Sequence, residues 1–253
     1  MTLQIAVLVK QVPDINAVRV DAGSRRADLG TSLVMNTYDT YAVSEAISLK
    51  ERMDAEVTVV SAGPASTREV ILRALATGAD SGIHVEIGEP NAMDSLAMAQ
   101  VLADALRDEE IDLIMAGQTT DDYETGQVGP QVAELLGWPH VSLATHIDVV
   151  ERRLRVTRDA EGSKETVEFP TPGVVMVLSG RDGSQRHPSL RGMMAAKNKP
   201  IRSILATLPE KRRLFWSEPV APVREMEGTI LAGLAPAEAA TQLVTWLKDR
   251  KLV

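Results

Sequence analysis

"LQIAVLVK", residues 3–10, is a nearly unbroken apolar run that ends in a lysine. A strand with one wet face alternates apolar and polar side chains. This run does not, so both of its faces need covering, as in the centre of a parallel sheet with helices on both sides. Further runs of the same kind follow at "AEVTVVSAG" (55–63), "SGIHVEI" (81–87) and "IDLIMAG" (111–117). Helical patterns lie between them. Tyr38, Ala42, Ala46 and Leu49 fall on one helix face, widened by Val43 and Ile47. Ser66 and Glu69 are spaced as a capping box ahead of "VILRALATGAD", with Gly78 as the expected stop. A third pattern runs from about Asp94 to Arg107, with Leu96, Ala99, Leu102, Ala103 and Leu106 on its stripe. Strand and helix thus alternate through about the first 140 residues, the signature of a parallel α/β sheet.

The pattern then changes. "HIDVVERRLRVTRDAEGSKETVEFP" (146–170) reads as a β-meander with charged turns, and "GVVMVLS" (173–179) as another buried strand. Beyond Gly180 no further βα repeat is expected. "RDGSQRHPSLRGMMAAKNKPIRSI" (181–204) leads into a Pro-rich segment and then an amphipathic helix from about Pro236 to Lys251. This tail has little apolar mass for a second core and reads as an extended arm lying on another surface.

Composition narrows the function classes. The 253 residues suffice for one large domain, and 44% hydrophobic with 25% charged residues is ordinary for a soluble protein. Aromatics reach only 3%, so the core relies on Val, Leu, Ile, Ala and Met. A net charge of −8 argues against a general grip on nucleic acid, which needs clustered Lys and Arg. With no cysteine, disulfides, thiolate metal sites and a thiol nucleophile are excluded, which fits a reducing compartment. Residues 1–10 lack a basic region ahead of a long apolar stretch, and no run reaches membrane-span length. The expected location is the cytoplasm or an equivalent such as the mitochondrial matrix.

The richest stretch is "AGQTTDDYETGQVGPQVAELLG" (116–137), at the carboxyl end of a strand, where α/β sheets bind ligands. Gly117 permits close backbone approach, and Gly126 and Gly129 adjoin a helix start whose N–H groups favour phosphate. Thr119, Thr120 and Thr125 add hydroxyls. A βα connection with turn-forming glycines explains the spacing equally well, because it is neither a Walker loop nor G-x-G-x-x-G. Asp121, Asp122 and Glu124 read as helix-dipole partners ahead of a hard-cation site, and no metal site is expected. "LVKQVPD" (8–14), "VMNTYD" (34–39) and "SAGPAS" (61–66) also fall at strand ends or helix starts, and four such loops on one edge weigh more than any one. The four histidines lack metal-ligand spacing, and His84 reads as a packed core residue. No catalytic constellation emerges, so a binding or carrier role outranks hydrolysis.

Together these residues resemble the beta subunit of electron transfer flavoprotein, including its nitrogen-fixation-associated and bifurcating relatives. The similarity covers residues 3–205. It is carried by "VKQVPD", "MNTYDTYAVSEAISLKE", "VVSAGP", "ALATGAD", "GQTTDDYETGQVGPQVAELLGWP" and "RHPSLRGMMAAKNKP". The resemblance implies a Rossmann-like, adenine nucleotide alpha hydrolase-like domain over residues 1–205, with a partner-recognition segment at 183–200. Residues 206–253 become an arm on the partner subunit. It implies a heterodimer with an alpha subunit that holds most of the FAD, while this chain holds AMP, or a second FAD in bifurcating members. The nucleotide-site positions that match are Leu8, Val9, Lys10, Asn36, Ala62, Gly63, Gly117, Asp122, Thr125, Gln127, Val128 and Gly129. Leu190, with Arg191, Met193 and Met194, matches the docking segment for dehydrogenases such as acyl-CoA dehydrogenase, with a membrane quinone oxidoreductase as acceptor. Without the resemblance, an ordinary core leucine capping the next helix is the favoured reading of Leu190. Tyr123 stands where relatives carry a small or acidic residue and favours AMP by narrowing the room beyond the first phosphate. "KQVPD" and "MN-x-YD" look like the bifurcating group, whereas its D-G-D-T step is absent. A universal-stress-type nucleotide-binding regulator and an ATP-cleaving enzyme of the pyrophosphatase group are the rival readings.

Overall fold

The computed structural model describes residues 2–88, 93–180, 185–208, 217, 220–222 and 228–253. The opening run forms β1 (Leu3–Leu8). An excursion follows, made of two small antiparallel ribbons. In these, β2 (Gln11–Pro13) pairs with β5 (Leu33–Met35), and β3 (Arg19–Val20) pairs with β4 (Ala27–Asp28). The repeating part then runs α1 (Thr37–Arg52), β6 (Ala55–Gly63), α2 (Arg68–Thr77), β7 (Ser81–Glu86), α3 (Ser95–Leu106), β8 (Leu113–Gly117) and α4 (Val128–Leu136). The meander comprises β9 (His140–Val150), β10 (Arg153–Ala160) and β11 (Ser163–Pro170), followed by β12 (Gly173–Val177). The chain continues with α5 (Leu190–Ala196), β13 (Ile201–Leu205) and α6 (Pro236–Asp249).

One nine-stranded sheet, in the order β11-β10-β9-β12-β8-β1-β6-β7-β13, organises the molecule. β1 lies between β6 and β8 and is parallel to both. Its side chains divide between two cores, as an unbroken apolar strand must. Ile5 and Val7 pack with α1, α2 and Ala196, whereas Ala6 and Leu8 pack with α3 and α4. The antiparallel pairs β9–β10 and β10–β11 extend one edge, so the sheet is mixed but mostly parallel.

Two local expectations are corrected. The capping box does not form. Ser66 sits in a 3₁₀ turn (Ala65–Thr67) and its hydroxyl donates to Gln11 Oε1 at 3.0 Å, so α2 starts at Arg68 with no side-chain cap. Nor does the repeat end at Gly180, because after α5 the chain returns as β13, parallel to β7. The run "IRSIL" gave little strand signal because an edge strand with two polar positions satisfies neither the buried nor the alternating pattern. Other expectations agree with the structure. α1 and α3 form where periodicity placed them, and Asp94 caps α3 by accepting from Ala97 N–H at 2.8 Å. His84 is a core residue, 1% exposed, with Nε2 3.0 Å from the Gly63 carbonyl. Among the described residues, no helix is long and apolar enough to cross a membrane.

Candidate functional site

The sheet order places a switch point between β1 and β8. The chain leaves β1 for α1 on one face and leaves β8 for α4 on the other, so their loops diverge and open a crevice at the carboxyl edge. Leu8 ends β1 and Val9 and Lys10 follow it, Ala62 and Gly63 end the neighbouring β6, and Gly117 ends β8. Asn36 immediately precedes α1, and Gln127, Val128 and Gly129 open α4. The fold thus gathers the sequence-picked residues from five segments on one edge. Asp122 and Thr125 lie on the strap that joins β8 to α4.

A residue not picked from the sequence ties this edge together. Asp39, in the first turn of α1, is 5% exposed and accepts from Lys10 N–H at 2.7 Å and Gly117 N–H at 3.1 Å. One carboxylate therefore bridges the ends of two adjacent strands. Burial pushes its pKa up to about 7, against the downward pull of donors from Asn36, Lys10 and Gly117. Gly117 is required by this approach, since a Cβ there would lie 2.7 Å from Tyr38 Cβ and also strike the Asp39 carboxylate. The only sequence signal for Asp39 was its place in "MNTYD", where it reads as an ordinary helix-dipole acid.

The strap is pinned from the same helix. Fully buried Asn36 donates from Nδ2 to the Thr119 carbonyl at 2.8 Å and accepts from Asp121 N–H at 3.0 Å. Asp121 in turn accepts from Thr37 N–H at 2.9 Å, so it serves the start of α1 and not the start of α4 that follows it in sequence. Farther along, Lys10 Nζ forms an ion pair with Asp122 at 2.6 Å and lies 4.5 Å from the centre of the Tyr123 ring. The strap turns back through Glu124 and Gly126, both at positive φ (51° and 61°). Gln127 then accepts from Ser95 at the start of α3 at 2.7 Å.

Two features of this edge leave hydrogen-bonding capacity over. Val128 and Gly129 N–H, in the first turn of α4, have no backbone partner among the described residues. Thr119 Oγ1, Asp122 Oδ1 and Gln131 Oε1 are buried without a partner there. Gly129 itself answers to packing. A Cβ on it would lie 2.8 Å from Met176 Cγ and Sδ in β12, so its small size lets α4 sit on the sheet. A bulky substitution at Gly129 would report that packing, not the approach of a ligand. A cavity of about 250 Å³ adjoins the strap beside Thr37, Asp121 and Arg73. A slightly larger one, about 290 Å³, lies at the opposite, amino edge beside Leu3, Asp112 and Thr171. Among the described residues, no group of His, Asp and Glu is arranged to hold a metal.

The sequence-picked docking residues stand apart from the crevice. Leu190, Met193 and Met194 are 74%, 48% and 68% exposed on α5, and Arg191 is exposed beside them, so Leu190 is not a core leucine. Ser189 caps the helix by accepting from Gly192 N–H at 3.0 Å. Residues 183 and 184 of the expected recognition segment lie outside the described residues.

A mostly parallel α/β sheet with a loop-lined crevice at its switch point defines the class of doubly wound, Rossmann-like proteins. Comparison with known proteins narrows this. Residues 27–208 match the electron transfer flavoprotein domain. The chain is 35% identical to the electron transfer flavoprotein subunit beta of Syntrophomonas wolfei, over 98% of this chain and 97% of that one. It is 31% identical to the Bacillus subtilis subunit beta over 99% and 100% of the two chains, and 36% identical to the human one over 80% and 81%. The chain belongs to the electron transfer flavoprotein beta-subunit family. That membership, over nearly the full length, replaces the stress-regulator and ATP-cleaving alternatives.

Proposed function

We propose that this chain pairs with an alpha subunit in an electron-transferring flavoprotein, holds AMP in the crevice at the carboxyl edge and docks a dehydrogenase through α5. The observation that carries the reading is the strap. It is clasped to the sheet edge by Asn36 and by the Lys10–Asp122 pair, and it leaves a partly unsatisfied polar surface at the start of α4. Unpaired N–H groups at a helix start suit a phosphate, which a chain of net charge −8 needs without a strongly basic pocket. Asp122 Oδ1 and Gln131 Oε1 are acceptors suited to ribose hydroxyls. The residues present therefore fit a nucleotide.

AMP is favoured over a second FAD because Lys10 is already neutralised by Asp122 and covered by Tyr123. A dinucleotide adds a second phosphate, and the strap, residues 118–127, contributes no Lys or Arg to meet it. The bound flavin supplies the electron-carrying chemistry. No catalytic side chain is assigned to this chain, whose proposed part is to hold the nucleotide and to dock the dehydrogenase. Leu190, amid Arg191, Met193 and Met194, offers an apolar anchor with a polar rim for a dehydrogenase such as an acyl-CoA dehydrogenase. A membrane quinone oxidoreductase is the corresponding acceptor. Mass identification of the nucleotides released from the purified heterodimer tests the reading. One FAD and one AMP per heterodimer is expected. Two FAD with no AMP would assign the chain to the bifurcating group, and no nucleotide beyond a single FAD would leave the crevice without its proposed ligand.

A further inference from the structure

The docking helix does not hold itself in place. α5 has seven residues, too few to persist as a helix without outside support, and only Ala196 of it is buried. Its polar supports come from elsewhere in the fold and bracket it. Ahead of it, Arg186 makes a two-pronged ion pair with Glu51 of α1, both contacts at 2.6 Å, and its backbone N–H donates to Ser44 Oγ at 2.9 Å. The guanidinium hydrogen-bonded to Glu51 holds that carboxyl below the usual carboxylate range. Behind it, Lys199 Nζ donates to carbonyls at the end of α2, at 2.9 Å to Leu75 in its last turn and at 2.5 Å to Ala79 just beyond it. Between the two, Gly192 lies so close to α2 that a Cβ would run into the Ala76 carbonyl.

We infer that the Arg186–Glu51 pair is a positioning element for docking, fixing the segment before α5 so that Leu190, Met193 and Met194 are presented in one arrangement. This rests on the reading of α5 as the dehydrogenase-docking helix. The physical reason is preorganisation: a short exposed helix that must be ordered at the moment of docking spends part of its contact energy on that ordering. The Lys199 side has buried backbone partners and anchors the exit. The Arg186 side is the adjustable one, because its ion pair lies at the surface, with the Glu51 side chain 57% exposed. Glu51 also sits on the helix whose first turn clasps the crevice, so one rigid element supports both surfaces.

The test uses the intact heterodimer with Glu51→Gln, the charge-swapped pair Glu51→Arg with Arg186→Glu, and Leu190→Ala as reference. Two measurements are made: amide hydrogen exchange across residues 186–197, and the KM and kcat for reduction by a purified acyl-CoA dehydrogenase. Glu51→Gln should speed exchange in the segment and raise KM on the order of fivefold, as expected for one well-formed surface ion pair, with kcat and the flavin spectrum unchanged. The swap should recover most of both effects. Unaltered exchange in Glu51→Gln overturns the tether. Faster exchange with an unchanged KM, while Leu190→Ala raises KM, overturns the positioning role and leaves the docking reading intact. If Leu190→Ala leaves KM unchanged, the docking reading itself falls, and the positioning role falls with it.

Discussion

Asp39 carries more of the site than any residue chosen from the sequence. Its carboxylate is the common acceptor for two partly buried N–H groups at the ends of adjacent strands, so its removal strands both. Asp39→Ala should cost about 2–6 kcal/mol, from roughly 1–3 kcal/mol for each unsatisfied group, measured by denaturant unfolding. Its pH dependence has a definite sign. Burial raises the folded pKa to about 7, above the ordinary carboxylate value, so between about pH 4 and 7 the folded state binds the extra proton. The stability contributed by the group is therefore greatest below about pH 4, is lost as pH rises to about 7 and is level above that. Asp39→Asn removes the titration. The stability of the unaltered protein relative to that variant should decline over this window by at most about 1.4 kcal/mol per pH unit. A difference that stays constant from pH 4 to 8 would show that the donors around Asp39 outweigh its burial.

At the scale of elements, α1 and the strap act as one unit. Asn36 precedes α1 yet fastens residues 119 and 121, some 83 and 85 positions away, across the crevice. Asn36→Ala should release the strap while leaving β8 in the sheet and α1 packed on it, because both are fixed by buried apolar contacts. The expected result is a loss of roughly 1–3 kcal/mol in stability, with nucleotide escaping from the heterodimer well below the melting transition. Nucleotide per heterodimer after gel filtration, compared with the melt, checks this. Retention of full nucleotide content would mean that the strap is not what confines the ligand. The same scale explains why the capping box misled. Ser66 has the right spacing, but Gln11, distant in sequence, takes its hydroxyl. Local spacing carries no information about such a competitor.

At the scale of the whole molecule, α6 stands out as a helix without a home. None of its residues is buried, and Leu243, Val244 and Trp246 are exposed at 49%, 46% and 40%. An amphipathic helix in that condition fits an arm that packs on another subunit, as proposed for the heterodimer. Trp246→Ala should leave the α/β core and its melt unchanged. It should weaken association with the alpha subunit by about 2 kcal/mol or more, roughly thirtyfold, by sedimentation at graded concentrations. Equal association of both forms would assign α6 another role. The arm also touches its own domain, since Val220 bridges to Arg26 and Ala221 N–H donates to the Arg25 carbonyl at 2.8 Å.

What the sequence determined by itself was periodic or composition-driven. The two-faced burial of β1, the α/β alternation, the helix stripes and the meander follow from short-range patterning of apolar side chains, and the absence of thiol chemistry follows from the lack of cysteine. It also placed Lys10, Asn36, Gly63, Gly117 and Gly129 at strand ends or helix starts, where ligand loops occur. Only the tertiary structure decided which of these residues touch, because hydrogen-bond partners such as Asp39 with Gly117, 78 positions apart, are chosen by sheet order. It alone exposed Leu190, tied Arg186 to Glu51 and made Gly129 a packing residue against Met176. β13 joined the edge for the same reason: its weak intrinsic pattern is overridden by the unpaired backbone groups that β7 offers it.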